Sequence, residues 1–180
     1  MSEVERTAPG RVAPLTPHEL ERLPVFPLPN VVFFPGSRLP LHLFEPRYRE
    51  MLEDCISSGP MAMAVTLLRP GYEADYEGRP PIHEVCGAGR IVAHERTDDG
   101  RYNVLLAGLT RVRLEELPPC DEAYRRARAT PVLDENPPGG VPHESMLALQ
   151  SCASAVDTAV RKRHPGFSLD LPQDAAPGRL

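Results

Sequence analysis

Lysine is almost missing from this chain: there is one, Lys162, set between Arg161 and Arg163. A phosphate loop of the GxxxxGK[ST] kind needs a lysine inside a glycine-rich turn, and no such segment occurs. A serine–lysine hydrolytic pair needs a lysine that burial can deprotonate, whereas Lys162 sits between two like charges at a polar helix end. That one residue argues against both chemistries within these 180 residues. Tryptophan is absent and aromatics make up 6% of the chain, so few rings are available to stack on bases. The net charge of −5 weighs the same way, because phosphate binding draws on a basic surface. The cysteines at 55, 86, 120 and 152 form no CxxC couple, and none accompanies the six histidines. Reduced thiols, with no metal and no cofactor, are the expectation. No apolar run reaches membrane-spanning length, and the opening MSEVERTAPGR lacks the apolar stretch of a signal peptide. A cytoplasmic chain without membrane contact is therefore expected.

Proline abounds instead, with 22 residues crowded at both ends and between short apolar runs. Proline removes a backbone donor, so it suits strand ends, edge strands and turns rather than sheet centres. Residues 23–51, LPVFPLPNVVFFPGSRLPLHLFEPRYREM, carry the densest information. PVFPL and NVVFFPG read as two short strands joined at Pro29-Asn30. A third strand covers 39–45, with Leu39, Leu41 and Leu43 alternating against Pro40, His42 and Phe44. A helix opens at Pro46 and stops at Gly59-Pro60. Tyr48, Met51, Leu52, Cys55 and Ile56 form its apolar stripe; Arg47, Arg49, Glu50, Glu53 and Asp54 its wet face. Glu45 is expected to cap the helix and complement its dipole, and Arg47 to pair with a barrel carboxylate.

Further on, 61–68 reads as a buried strand and 69–81 as a loop carrying Tyr72 and Tyr76. Residues 85–94 form a strand in which Gly87 and Gly89 mark a bulge or a close backbone approach. Thr97-Asp98-Asp99-Gly100 is a hairpin turn. Two strands follow, 101–107 and 111–116. Residues 123–133 stand between helix and strand, and their poor helical face favours strand. The breaker NPPGG at 136–140 precedes an amphipathic helix opening at His143 and closing at Arg163, with Met146, Leu149, Cys152, Ala153, Val156 and Val160 on one side. The expected plan is a mobile lead-in over 1–20, a barrel domain over 21–134, and a linker, helix and frayed tail over 135–180.

Taken in order, Phe26-Pro27-Leu28, Pro35-Gly36 and Phe44-Glu45-Pro46-Arg47-Tyr48 form a pattern. It continues through Gly87-Ala88-Gly89-Arg90-Ile91, Asp99-Gly100-Arg101 and Gly108-Leu109-Thr110-Arg111. The pattern resembles the N-terminal substrate-binding domain of Lon proteases, in its stand-alone bacterial form, over residues 23–133. The resemblance implies a mainly β fold of α+β class, a PUA-like closed β-barrel with one packed helix, followed here by a C-terminal helix. It also implies a non-catalytic role in recognising other polypeptides, in protein quality control or proteolysis.

The expected clients are unfolded or peptide-like proteins, docked on edge strands or a shallow apolar groove. Candidate lining residues are Phe33, Phe34, Leu39, Tyr72 and Tyr76, each of which packing alone also explains. An alternative is an RNA-binding barrel using Arg111, Arg113, Arg125, Arg126 and Arg128, which the acidic balance disfavours. A third reading is a scaffold whose tail helix pairs with a partner protein or a second copy. Enzymatic alternatives reduce to Cys86 with His83 or His94 and to Asp98 with Asp99; surface histidines and turn chemistry explain these more simply.

Overall fold

A computed structural model of the chain describes residues 5–6, 12–57, 59–76, 78–119, 121–133 and 142–167. Two compact units divide it, residues 1–132 and 133–180. The first unit contains strands β1 (Glu5–Arg6), β2 (Leu23–Leu28), β3 (Arg38–Leu43), β4 (Ala62–Leu67), β5 (Val85–Arg96), β6 (Tyr102–Glu116) and β7 (Arg125–Val132). It also holds helices α1 (Pro17–Glu21) and α2 (Pro46–Ser57), with one 3-10 turn at Tyr72–Asp75. The strands run in the order β1-β5-β4-β2-β7-β6-β3, and an added β5–β6 ladder closes β5, β4, β2, β7 and β6 into a ring. The β2–β4 pair is parallel and the others in the ring are antiparallel, so the barrel is mixed.

Two apolar clusters hold it together. One draws small residues from all five ring strands, among them Ala62, Ala64, Ala88, Ala127 and Ala129, with Leu23, Val25, Val112 and Leu114. Small side chains suit the inside of so narrow a barrel. The other joins Tyr48, Met51, Leu52 and Cys55 of α2 to Phe26, Met63, Val65, Leu43, Tyr102, Val104 and Leu106 of the strands. Strands β2 and β4 contribute to both clusters, which explains why their sequences run apolar without alternating. The helix and its stripe match the sequence reading, except that Ile56 is 40% exposed.

Several expectations need correcting. Residues 31–36 are not a strand but a loop. Residues 101–107 and 111–116 are not separate strands: β6 runs through Gly108, with register shifts at Ala88/Gly89 and Ile91/Ala93 absorbing the bend. Part of the expected lead-in is folded. Thr16 closes a capping box with Glu19 at the start of α1, and Arg90 grips that segment through Glu19 and the carbonyls of Ala13 and Pro14. Within residues 123–133 the expected strand forms as β7, over Arg125–Val132.

The second unit contains α3 (His143–Arg161), none of whose residues is buried. The breaker at 136–140 and Cys120 lie outside the described residues.

Candidate functional site

The entry to β3 is shaped by one phenylalanine and three glycines. Phe33 is 3% exposed and belongs to the core beneath α2. Its main chain crosses Gly87 so closely that a β-carbon there would stand 2.0 Å from the Phe33 carbonyl oxygen. At Gly89 such a carbon would meet the Phe33 ring at 2.8 Å, and at Gly108 the Phe34 carbonyl oxygen at 2.0 Å. The close-approach reading of Gly87 and Gly89 is thereby given its partner. The candidate Phe33 is corrected: it is a core plug, not a contact residue.

With Phe33 turned inward, Val32 and Phe34 point out, 62% and 60% exposed. The loop that presents them is fastened. Gly36 donates to the Gly108 carbonyl, Gly108 to that of Ser37, and the Ser37 hydroxyl to that of Phe34 at 2.6 Å. Strand β3 then continues with Leu39, Leu41 and Leu43 toward the core and Arg38, Pro40 and His42 toward solvent. Leu39 is half-buried opposite Leu106 and packs on the core, so it offers little contact area. At the exit of β3, Phe44 is 58% exposed and stacks on His42, whose Nδ1 lies 2.9 Å from Asn103 Oδ1. Val32 and Phe44 were not among the candidates. The outward phase of Pro40, His42 and Phe44 was the signal for the second.

Among the described residues β3 pairs with β6 on one side and with no strand on the other. Since Gly108 N–H bonds Ser37 O, the alternate positions 38, 40 and 42 turn their peptide groups to the open edge. Pro40 has no N–H to offer there, which blunts the edge against indiscriminate pairing. Carbonyls and the N–H groups of Arg38 and His42 remain.

Tyr72 and Tyr76 lie elsewhere, half-buried against the barrel core with ring centroids 6.1 Å apart. Tyr76 donates to Glu45 at 3.2 Å, and Arg47 bonds both Glu45 and the Tyr76 carbonyl. Arg47 thus pairs with Glu45, 2.8 Å away, rather than with a strand carboxylate. The Glu45 carbonyl, not its carboxylate, accepts from the first helical amides of α2. This hub pins the 3-10 loop to the helix. It leaves the two tyrosines as packing residues.

The groups weighed for chemistry are spread out or engaged. Burial pushes the Cys86 thiol up to about 12, the reverse of activation. The Asp99 carboxylate accepts from Thr97 and the Arg101 amide inside the hairpin turn. No cluster of three or more His, Cys, Asp or Glu suited to a metal occurs among the described residues. The arginines proposed for RNA meet carboxylates: Arg113 meets Glu84, Arg125 Glu116, Arg126 Glu122 and Arg128 Glu21. Arg111 too is engaged. A groove of about 560 Å³ near Asp54, Tyr124 and Arg126 is lined in part by such paired charges, among them Glu19, Glu21 and Glu122.

The described residues of the first unit thus form a small closed barrel with a packed helix, and Val32, Phe34 and Phe44 stand exposed before and after β3. Residues 22–175 match the family model for the ATP-dependent protease La (LON) substrate-binding domain, and the chain belongs to that family. It is 28% identical over 163 residues to Lon protease 2 of Myxococcus xanthus, covering 83% of this chain and 19% of that protein. It is 26% identical over 162 residues to Lon protease of Anaeromyxobacter dehalogenans, again covering 19% of the relative. The chain thus spans about a fifth of these relatives. The Lon N-terminal domain protein from Xanthomonas campestris superposes with a TM-score of 0.50 at 26% identity, covering 66% of each chain. The N-terminal domain of Mycobacterium avium complex Lon protease gives 0.58 at 14% identity, covering 81% of this chain and 70% of that one, a likeness of fold alone.

Proposed function

We propose that this chain is a polypeptide-binding module that performs no reaction of its own. Its docking surface is the rim formed by Val32, Phe34 and Phe44 at the two ends of β3. The observation carrying the reading is that two phenylalanines on fastened backbone remain more than half exposed beside an open strand edge. Large apolar side chains left exposed on both ends of an edge strand suit contact with an extended partner. The clients that fit are extended segments with exposed apolar residues, as unfolded proteins display. Strand addition at positions 38 and 42 would supply register, and the aromatic ends would supply affinity. Pro40 keeps main-chain pairing weak, so binding is shallow and tolerant of sequence. A role in protein quality control accords with such tolerance.

The test is fluorescence anisotropy with a labelled, reduced and unfolded polypeptide against the wild type and a Phe34→Ser, Phe44→Ser variant. Micromolar association that weakens about tenfold or more in the variant supports the reading, since each buried aromatic adds roughly 1–2 kcal/mol. Equal binding by both proteins would remove the rim from the site. No association at high micromolar concentration would remove the function.

A further inference from the structure

At the β5–β6 hairpin, beside α2, two arginines converge without an ion-paired acid among the described residues. Arg49, on α2, donates from Nη1 to the Gly100 carbonyl at 3.2 Å. Its Nε is buried and has no hydrogen-bond partner. Arg96, at the end of β5, lies over the ring of Tyr102, 5.9 Å from the centroid. Both guanidiniums approach one point: a carbon built on Gly100 would stand 3.6 Å from Arg49 Nη1 and 3.9 Å from Arg96 Nη2. Among the described residues neither meets a carboxylate at ion-pair distance. The neighbouring acid, Glu53, accepts the Tyr102 hydroxyl at 2.9 Å.

Elsewhere in the barrel many arginines are matched: Arg47, Arg90, Arg113, Arg125, Arg126 and Arg128 each pair with an acid, while Arg22, Arg38 and Arg79 meet none among the described residues. An arginine pair left unmatched carries mutual repulsion, and a buried donor without an acceptor adds to the cost. A planar oxyanion set over Gly100 relieves the repulsion, because guanidinium groups recognise carboxylates through paired, charge-assisted hydrogen bonds. Register places this point at the end of β3, on the opposite face from Phe44: Arg96 is opposite Tyr102, and Tyr102 opposite Leu43, the residue before Phe44.

We propose that Arg49 and Arg96 form an oxyanion site that takes a carboxylate of the bound polypeptide, either an acidic side chain or the chain terminus. The client class is thereby narrowed to segments in which an acid follows or precedes an apolar stretch. This narrowing rests on the polypeptide-binding reading, whereas the anion site itself does not.

Two measurements separate them. In the first, arginine Nε–Hε resonances are followed by NMR while acetate, and separately inorganic phosphate, is added to the full chain. Saturable shifts at Arg49 and Arg96, lost in Arg96→Gln, support the site; unmoved resonances with both anions overturn it. In the second, two unfolded peptides differing only by Asp→Asn and C-terminal amidation are compared by anisotropy. The acidic peptide should bind about fivefold to twentyfold more tightly to the wild type, with the ratio falling to near one in Arg96→Gln. Equal affinity of both peptides for the wild type overturns the assignment of a polypeptide carboxylate. Anion shifts without binding of either peptide would keep the oxyanion site and defeat the polypeptide reading, including the carboxylate source. Arg96 is exposed and its side chain makes no hydrogen bond among the described residues, so its substitution leaves the fold intact; Arg49→Lys provides the second variant.

Discussion

The Phe33 carbonyl oxygen lies against the α-carbon of Gly87 with no room for a methyl group between them. That contact fixes the direction of the whole rim, because seating Phe33 in the core is what turns Val32 and Phe34 outward. The obstacle at Gly87 is backbone, which cannot rotate away as a side chain would. Gly87→Ala should therefore cost about 2–3 kcal/mol in chemical denaturation, the range of an overpacked core. A loss below about 0.5 kcal/mol, the scale of an ordinary surface change, would mean that the loop yields easily.

The clamp of Arg90 on Glu19 sets a pH dependence. The Arg90 guanidinium, aided by Thr16, holds the Glu19 carboxyl down at about 2, against an ordinary value of 4.5. A lowered folded-state value means that the stabilisation is complete above about 4.5 and is lost as pH falls toward 2. Relative to Glu19→Gln, the wild type should be more stable by on the order of 1–2 kcal/mol at pH 7, and the gap should close in acid. A gap that stays constant between pH 7 and pH 3 would contradict this.

Arg125 is 6% exposed and bonds Glu116 and, at 2.7 Å, the Pro80 carbonyl. Removing it leaves an acceptor and part of an acid unmatched. Arg125→Ala should destabilise by about 2–4 kcal/mol, as broken buried pairs do. Arg113→Ala, whose side chain is 58% exposed, should change stability by less than about 0.5 kcal/mol. Thermal or denaturant melts of the two variants decide the matter.

Burial pushes the thiols of Cys55 and Cys86 up to about 12, while Cys152 is exposed on α3. Alkylation at pH 8 followed by peptide mapping should modify Cys152 within minutes and spare Cys55 and Cys86 until denaturant is added. Rapid native labelling at Cys86 would show that β5 is open there.

Much of the architecture was legible because local signals agreed with one another. The alternation of Leu39, Leu41 and Leu43, the proline at position 46 and the stripe from Tyr48 to Cys55 all point to β3 and α2. Where reading failed, tertiary packing had overruled local pattern. NVVFFPG looks like a strand because it is apolar, yet its apolarity serves a plug in a glycine cradle rather than a ladder. Gly108 looks like a strand break because glycine weakens strands, but it is where β6 lets the Phe34 backbone pass. Choosing Phe33 with Phe34 needed the direction of each ring, which sequence spacing in a loop does not carry. The Arg49–Arg96 convergence joins α2 to the β5–β6 hairpin, and only the folded chain brings it together.

Amide chemical-shift mapping during titration with an unfolded, apolar polypeptide tests the central claim most directly. The account predicts saturable changes gathered at residues 31–44, strongest at Val32, Phe34, His42 and Phe44. Saturable changes elsewhere on the barrel, with this segment silent, would contradict it.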